Sequence, residues 1–199
     1  MRIGIFGGTF DPPHQGHLIL ASEAYYELSL DILYWVLTPY PPHKPNSRIA
    51  ELQHRFEMVH AAIAPDPRFT FSTVDLDRLG PHYSVDTVRL LGESHPDAEL
   101  IYLMGGDSLR DLPTWRRARD FLNACHAIGV MRRPGAMVDT ETLDAALPGI
   151  MKKVRFFESP LLEISSHQIR QRVAEGRPYR YYLPESVYQI IEKYYLYRD

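Results

Sequence analysis

Short apolar runs alternate along this chain with stretches whose apolar positions recur at helical spacing. Ile3, Ile5 and Phe6, with Gly4 among them, read as a buried strand over 3–6, and a helix-like run follows over 18–28. Ile32–Leu37, with Tyr34 and Trp35 inside it, is a second strand. Leu52, Phe56, Val59 and Ile63 recur at spacings of three and four, which predicts a helix over 50–63. The pattern then gives a strand over 69–74, a helix over 85–91, and a strand over 99–104 that runs into Gly105-Gly106. Ala127–Met131 and Val154–Phe157 are two further strand-like runs. A helix over 168–175 stops at Gly176, and Val187, Ile190, Ile191 and Tyr194 mark an apolar stripe on a last helix.

Strands separated by helices imply an α/β fold with a doubly wound, mainly parallel sheet, followed here by a C-terminal helical segment. Right-handed crossovers place the carboxyl ends of the strands on one edge, where a ligand sits. The loops of that edge would be 7–16, 38–47, 105–108 and 132–135, and they carry the most distinctive residues. No internal repeat and no convincing linker divides the sequence, so 1–199 reads as a single domain.

Composition narrows the chemistry. The net charge of −3 supplies no broad basic field, which argues against a nucleic-acid partner. Cys125 is the one cysteine, so neither an internal disulfide nor a multi-cysteine zinc site can form, and it reads as a small buried residue. No apolar run approaches the roughly 20 residues that span a bilayer. The chain opens on a strand-like run without a secretory signal, and a cytoplasmic location away from membranes is expected.

The richest stretch is Gly7-Gly8-Thr9-Phe10-Asp11-Pro12-Pro13-His14-Gln15-Gly16-His17, where the first strand hands over to a helix. Gly7 and Gly8 would let backbone approach a ligand closely. His14 and His17 are three apart, share one face of a first helical turn, and can both donate to phosphoryl oxygens near a positive helix end. Neither a Gly-Lys-Ser/Thr loop nor a Gly-x-Gly-x-x-Gly fingerprint is present. Taken alone, such a pair is more often two surface or helix-capping histidines, and a zinc pair is the least favoured option because only Asp11 lies nearby as a further ligand.

Further motifs follow in order: Pro41-Pro42-His43-Lys44, Tyr83-Ser84-Val85-Asp86-Thr87, Gly106-Asp107-Ser108 with Leu112 and Trp115, Arg133-Pro134, Ile164-Ser165-Ser166-His167-Gln168-Ile169-Arg170, and Tyr182-Leu183-Pro184 with Val187. With the opening string, this series resembles the bacterial nicotinate-nucleotide adenylyltransferases of the (T/H)xGH nucleotidyltransferase superfamily, across nearly the whole chain. One departure is His167, which stands where that family's ISSTxIR motif has threonine. It puts one hydroxyl contact near the ATP phosphates in question.

The resemblance implies a Rossmann-like nucleotidyltransferase domain that joins ATP and nicotinate mononucleotide into deamido-NAD and pyrophosphate. Mg²⁺ would be carried with ATP and pyrophosphate, with no metal bound by the protein itself. It implies His14 and His17 as the catalytic donors. Gly7, Gly8, Thr9, Phe10, Gly105, Gly106, Asp107, Ser165, Ser166, Ile169 and Arg170 would bind ATP, Asp107 at the ribose and Arg170 at the β- or γ-phosphate. Lys44, Ser84, Trp115 and Arg133 would bind the acceptor, with Trp115 stacked on the pyridine ring and the backbone near Ser84 meeting the carboxylate. Without the resemblance, Asp107 reads as a helix N-cap, Trp115 as core, and Lys44 as a solvated lysine. The cluster Arg116, Arg117 and Arg119 reads as a solvated helix face. Two other functions compete: a pantetheine-phosphate adenylyltransferase-like enzyme, and an adenine-nucleotide sensor without catalysis on the same fold. The oligomeric state stays open, a homo-oligomer included.

Overall fold

A computed structural model describes residues 1–40, 49–132, 139–160 and 162–198. Six strands form one sheet in the order β3-β2-β1-β4-β5-β6, and every neighbouring pair is parallel. The strands are β1 (Arg2–Gly8), β2 (Ile32–Leu37), β3 (Phe69–Ser72), β4 (Glu99–Gly105), β5 (Ala127–Met131) and β6 (Val154–Phe157). Between and after them come α1 (Gln15–Glu27), α2 (Leu52–Ile63), α3 (Ser84–Ser94), α4 (Gly106–Asp111), α5 (Ala118–Ala124), α6 (Thr140–Ala146), α7 (Ile150–Lys153), α8 (Ser166–Ala174) and α9 (Glu185–Lys193).

Both faces of the sheet are buried, as a parallel sheet requires. Along β4, Leu100, Tyr102 and Met104 point into one apolar layer with Val85, Val88 and Phe121. Ile101 and Leu103 point into the other, with Leu20, Met58, Ile169 and Val187. Helices α3 and α5 therefore cover one face, and α1, α2, α8 and α9 cover the other. The strand order reverses between β1 and β4. A crevice opens at such a reversal, outside the carboxyl ends of the two strands.

Several boundaries differ from the sequence pattern by a few residues, and two of them have clear local reasons. The run over 69–74 leaves the sheet at Ser72, because Thr73 turns its carbonyl to the N–H groups of Leu76 and Asp77 and its hydroxyl to the Asp77 carboxylate at 2.6 Å. Helix α1 starts at Gln15 rather than 18, since the His14 carbonyl already accepts from His17 and Leu18. The short helices α4 to α7 carry too few turns to display an apolar stripe, so the hydrophobic pattern does not announce them.

Candidate active site

The sharp turn from β1 into α1 places the histidine pair at the crevice. His14 is the N-cap of α1 and His17 lies one turn on. Their rings stack, with centroids 3.7 Å apart and planes inclined by 28°. The His14 backbone N–H donates to His17 Nδ1 at 3.1 Å. An Nδ1 that accepts fixes the neutral tautomer with its proton on Nε2, so His17 presents a donor at its free end. His14 is 6% exposed, and its Nδ1 makes no hydrogen bond among the described residues. Burial pushes the His14 pKa down to about 4. His17 also falls well below its ordinary value, through burial and then the neighbouring His14. Near neutral pH the pair is therefore uncharged, and two stacked rings can coexist without like-charge repulsion.

Phe10 is the floor under the pair. Its ring meets His17 edge-on at 5.2 Å, meets Phe6 at 5.4 Å, and lies over Trp35 at 5.0 Å. The packing holds Phe10 at φ 47°, a left-handed conformation unfavourable for an aromatic residue.

The loop between β1 and α1 is pinned from outside through its carbonyl groups. Arg55 of α2, 1% exposed, donates to the carbonyls of Thr9 (3.1 Å), Thr38 (2.9 Å), Pro39 (2.7 Å) and Ala50 (3.0 Å). Burial lowers its pKa, while Asp11 and the Tyr197 and Tyr40 side chains act the other way. Arg170 of α8 donates to the Asp11 carbonyl at 2.7 Å, and Ser166 donates its hydroxyl to the Pro12 carbonyl at 2.9 Å. Pro12 and Pro13 have no N–H to offer an anion, so side chains must supply most donors here. The Asp11 carboxylate is buried behind the loop and accepts from Tyr197 Oη at 2.7 Å and from the Ala50 N–H at 3.1 Å. Its second oxygen faces Arg170 Nη1 at 3.5 Å. Tyr197, with burial and this carboxylate beside it, has its pKa raised well above the phenolic range.

On the other side of β1 lies a cavity of about 360 Å³, lined among others by Gly8, Thr9, Ser84, Tyr102, Trp115 and Arg116. The N-terminus of α3 opens into it at Ser84, with N-cap Tyr83, so backbone N–H groups and a positive helix end face the cavity. Trp115 is half-buried against Phe121 (5.4 Å) and Tyr102 (6.5 Å). Ser84 Oγ and Tyr102 Oη are hydrogen-bonded at 3.1 Å, and burial pushes the Tyr102 phenol up to about 12. The guanidinium of Arg116 lies 5.8 Å over the Tyr83 ring and pairs with no carboxylate among the described residues. Arg117, by contrast, pairs with Asp86 and Asp120, and Arg119 donates to the Pro148 carbonyl.

Several expected site residues prove to sit differently. A Cβ on Gly7 would come within 2.8 Å of Tyr102 Oη, and one on Gly8 within 2.8 Å of the Phe10 ring. These two glycines make room for the protein's own aromatic side chains and also line the cavity, as does Gly105, which has nothing within 4 Å of the corresponding point. Phe10 and Ile169 have their side chains buried in the core, Phe10 directly against His17. Asp107 is not an N-cap: Gly105 holds that place, and Asp107 lies in the first turn of α4, exposed, 3.3 Å from Arg110. Gly106 opens the same helix. Ser165 caps α8 by accepting the Gln168 N–H at 3.2 Å, and the Ser166 proton is committed to Pro12. His167 is exposed on the first turn of α8. The Arg116 cluster is not uniformly a solvated face, since Arg116 lines the cavity. Lys44 and Arg133 lie outside the described residues. Cys125 is buried as expected, and desolvation raises its pKa to about 12. No group of three His, Cys, Asp or Glu among the described residues could hold a metal ion, and no described helix is long and apolar enough to cross a membrane.

The residues that the sequence reading missed are polar: Arg55 and Asp11 as a structural anion, both buried, and Tyr197, partly buried. Arg55 sits inside the apolar periodicity of α2, where a charged residue on the buried face was the available signal.

Comparison with known proteins agrees with this geometry. The cytidylyltransferase-like family model matches residues 5–172. A probable nicotinate-nucleotide adenylyltransferase of Thermomicrobium roseum is 44% identical over 197 residues, covering 99% of this chain and 92% of the relative. The nicotinate-nucleotide adenylyltransferase of Bacillus subtilis is 38% identical over 198 residues, covering 100% and 99%. Among solved structures, the Plasmodium falciparum nicotinic acid mononucleotide adenylyltransferase complexed with NaAD superposes with a TM-score of 0.80 at 19% identity, covering 98% of this chain and 97% of that one, which establishes the shared fold. Matched from end to end at this level of identity, the chain belongs to the nicotinate-nucleotide adenylyltransferase family.

Proposed function

We propose that this protein transfers the adenylyl group of ATP to nicotinate mononucleotide, forming deamido-NAD and pyrophosphate. The observation that carries the reading is the neutral, stacked His14–His17 pair, set between an aromatic acceptor cavity and the Arg170 side of the loop. The relatives bear the name of this activity, and one solved neighbour is a complex with NaAD.

In the reaction, an oxygen of the acceptor phosphate bonds to the α-phosphorus of ATP. The bond from that phosphorus to the bridging oxygen breaks, and its electron pair leaves with pyrophosphate. The attacking phosphate is already an anion, so no base has to remove a proton. A neutral imidazole whose Nδ1 is occupied suits this economy: His17 serves as an Nε2–H donor to oxygens that gain charge at the α-phosphate. Arg170 keeps guanidinium donors in reserve beyond the one given to Asp11, and these fit the β- or γ-phosphate. Trp115 offers a face to the pyridine ring, and the α3 N-terminus at Ser84 faces its carboxylate. A divalent cation travels with ATP as part of that substrate, Mg²⁺ being the natural one. The adenosine side is served by the open backbone at Gly105 and by Asp107 toward the ribose.

The test is pyrophosphate release by purified protein with MgATP and each acceptor in turn. Turnover with nicotinate mononucleotide is expected. Turnover with phosphopantetheine alone would overturn the reading, and so would tight ATP binding without product, the behaviour of a sensor.

A further inference from the structure

We propose that Tyr197, almost at the C-terminus, is a positioning residue for Arg170 and acts through the buried carboxylate of Asp11. The proposal rests on the reading of Arg170 as the cation for the ATP phosphates.

Asp11 is 2% exposed, and a carboxylate at that depth needs partners. Its two oxygens are treated unequally. Oδ1 takes both full hydrogen bonds, from Tyr197 Oη at 2.7 Å and from the Ala50 N–H at 3.1 Å. Oδ2 accepts no hydrogen bond and stands 3.5 Å from Arg170 Nη1. That nitrogen donates to the Asp11 carbonyl instead, at 2.7 Å. The guanidinium is thus tethered by one nitrogen and attracted by a carboxylate that does not close on it. A bidentate pair would use the donors that a phosphate needs. By fixing Oδ1, Tyr197 and Ala50 prevent the carboxylate from turning into such a pair.

The backbone of the last residues supports a specific role for the hydroxyl. Tyr195 has φ 53° and Tyr197 has φ 64°, both left-handed. The first is accounted for by the end of α9, where the Leu196 N–H bonds the Ile191 carbonyl at 3.1 Å. The second ends no helix. What it accomplishes is to bring the Tyr197 ring back to the β1–α1 loop, 186 residues away in sequence. Strain of this kind persists where surrounding contacts hold it.

Removing the hydroxyl leaves Oδ1 held by the longer Ala50 hydrogen bond alone, lets the carboxylate swing toward Arg170, and draws the guanidinium away from the phosphates. For Tyr197→Phe we expect KM for ATP, and Kd for a non-hydrolysable ATP analogue, to rise about five- to tenfold, the net weight of one ordinary hydrogen bond, since Tyr197 acts on the guanidinium only through Asp11. The kcat and the KM for nicotinate mononucleotide stay within about twofold. The same change placed on Arg170→Gln adds less than about twofold, because a residue that acts through Arg170 has nothing left to act on. Equal shifts in both backgrounds, a shift shared by kcat and both substrates, or no shift at all in Tyr197→Phe would overturn the proposal and leave the Arg170 reading standing. An unchanged KM for ATP in Arg170→Gln itself would overturn that reading and the proposal with it.

Discussion

The two flanks of the histidine pair are built on opposite principles. The flank proposed for the acceptor is a cavity with aromatic walls, where Trp115, Tyr102 and Phe121 support one another by edge and tilted contacts. The flank proposed for the ATP phosphates has no such walls among the described residues. It is a backbone loop suspended from polar side chains, with Arg55, Arg170 and Ser166 each holding a carbonyl and Asp11 buried behind. A flat, weakly polar ring is recognised by surfaces that pack well by themselves. A multiply charged phosphate chain is recognised by donors whose positions must be held against their own charge, and that demands a second set of polar partners. The acceptor flank should therefore tolerate changes that only reshape it, and the phosphate flank should fail through stability as well as through catalysis.

The sharpest way to break that contrast is at Arg55. Arg55→Met keeps the apolar stem but takes the donor from four carbonyls, that of Pro39 buried and the others part-buried, and removes one of the two cations near Asp11. A loss of about 3–5 kcal/mol in urea unfolding is expected, the range for breaking a buried charged network from one side. A loss below about 1 kcal/mol, the scale of a surface substitution, would show that the loop does not hang on this residue.

His17→Ala tests the pair between the flanks. Loss of the Nε2–H donor should lower kcat about 10²–10³-fold, roughly 3–4 kcal/mol of transition-state stabilisation, with the KM values much less affected. Steady-state kinetics with both substrates varied decides this. A kcat near that of the wild type would remove His17 from the chemistry.

What the sequence made legible follows the same division. The strands announced themselves because β1, β2, β4, β5 and β6 are apolar on both faces, and the parallel sheet follows from helices between them. The histidines stood at a spacing that can carry chemistry, while Trp115 and Arg170 were singled out only by the motifs of the family resemblance. Arg55 stood in none, and its meaning depends on four carbonyls from three separate stretches of chain, which only the fold brings together. Tyr197 is more extreme, since its partner lies at the other end of the sequence. The glycines show a second requirement that local pattern does not carry: Gly7 and Gly8 line the cavity, and the space they leave also seats Tyr102 and Phe10. Tertiary packing decided their role, and local pattern could not report it.

The histidine pair also gives the phosphate flank a pH signature. His14 has its pKa lowered from 6.5 to about 4 by burial, so the unfolded chain binds more protons than the folded one between those values. The stabilisation is complete above about pH 6.5 and is lost as the pH falls toward 4. At pH 4.5 the loss attributable to His14 should be about 2.5 kcal/mol relative to pH 7. Urea unfolding of the wild type and of His14→Asn at both pH values isolates it, because carboxylate titrations are common to the two proteins. Equal acid losses in the two would show that His14 keeps an ordinary pKa.

The acceptor flank should yield the smallest effect, and one of selectivity. Arg117 and Arg119 are engaged by Asp86, Asp120 and Pro148, whereas Arg116 lines the cavity beside Trp115 with no carboxylate of the protein against it among the described residues. A cation in that position, at the edge of the α3 N-terminus, is complementary to the ring carboxylate that distinguishes nicotinate from nicotinamide mononucleotide. It is exposed, so water screens much of its field and the α3 N–H groups remain in place without it. Arg116→Ala should therefore lower kcat/KM for the acid about tenfold, roughly 1.4 kcal/mol, while leaving the amide and the KM for ATP nearly unchanged. Competition between the two acceptors at fixed ATP measures the ratio directly. A parallel fall for both acceptors would make Arg116 a packing element over Tyr83, and the acceptor flank would then select the acid through the helix terminus alone.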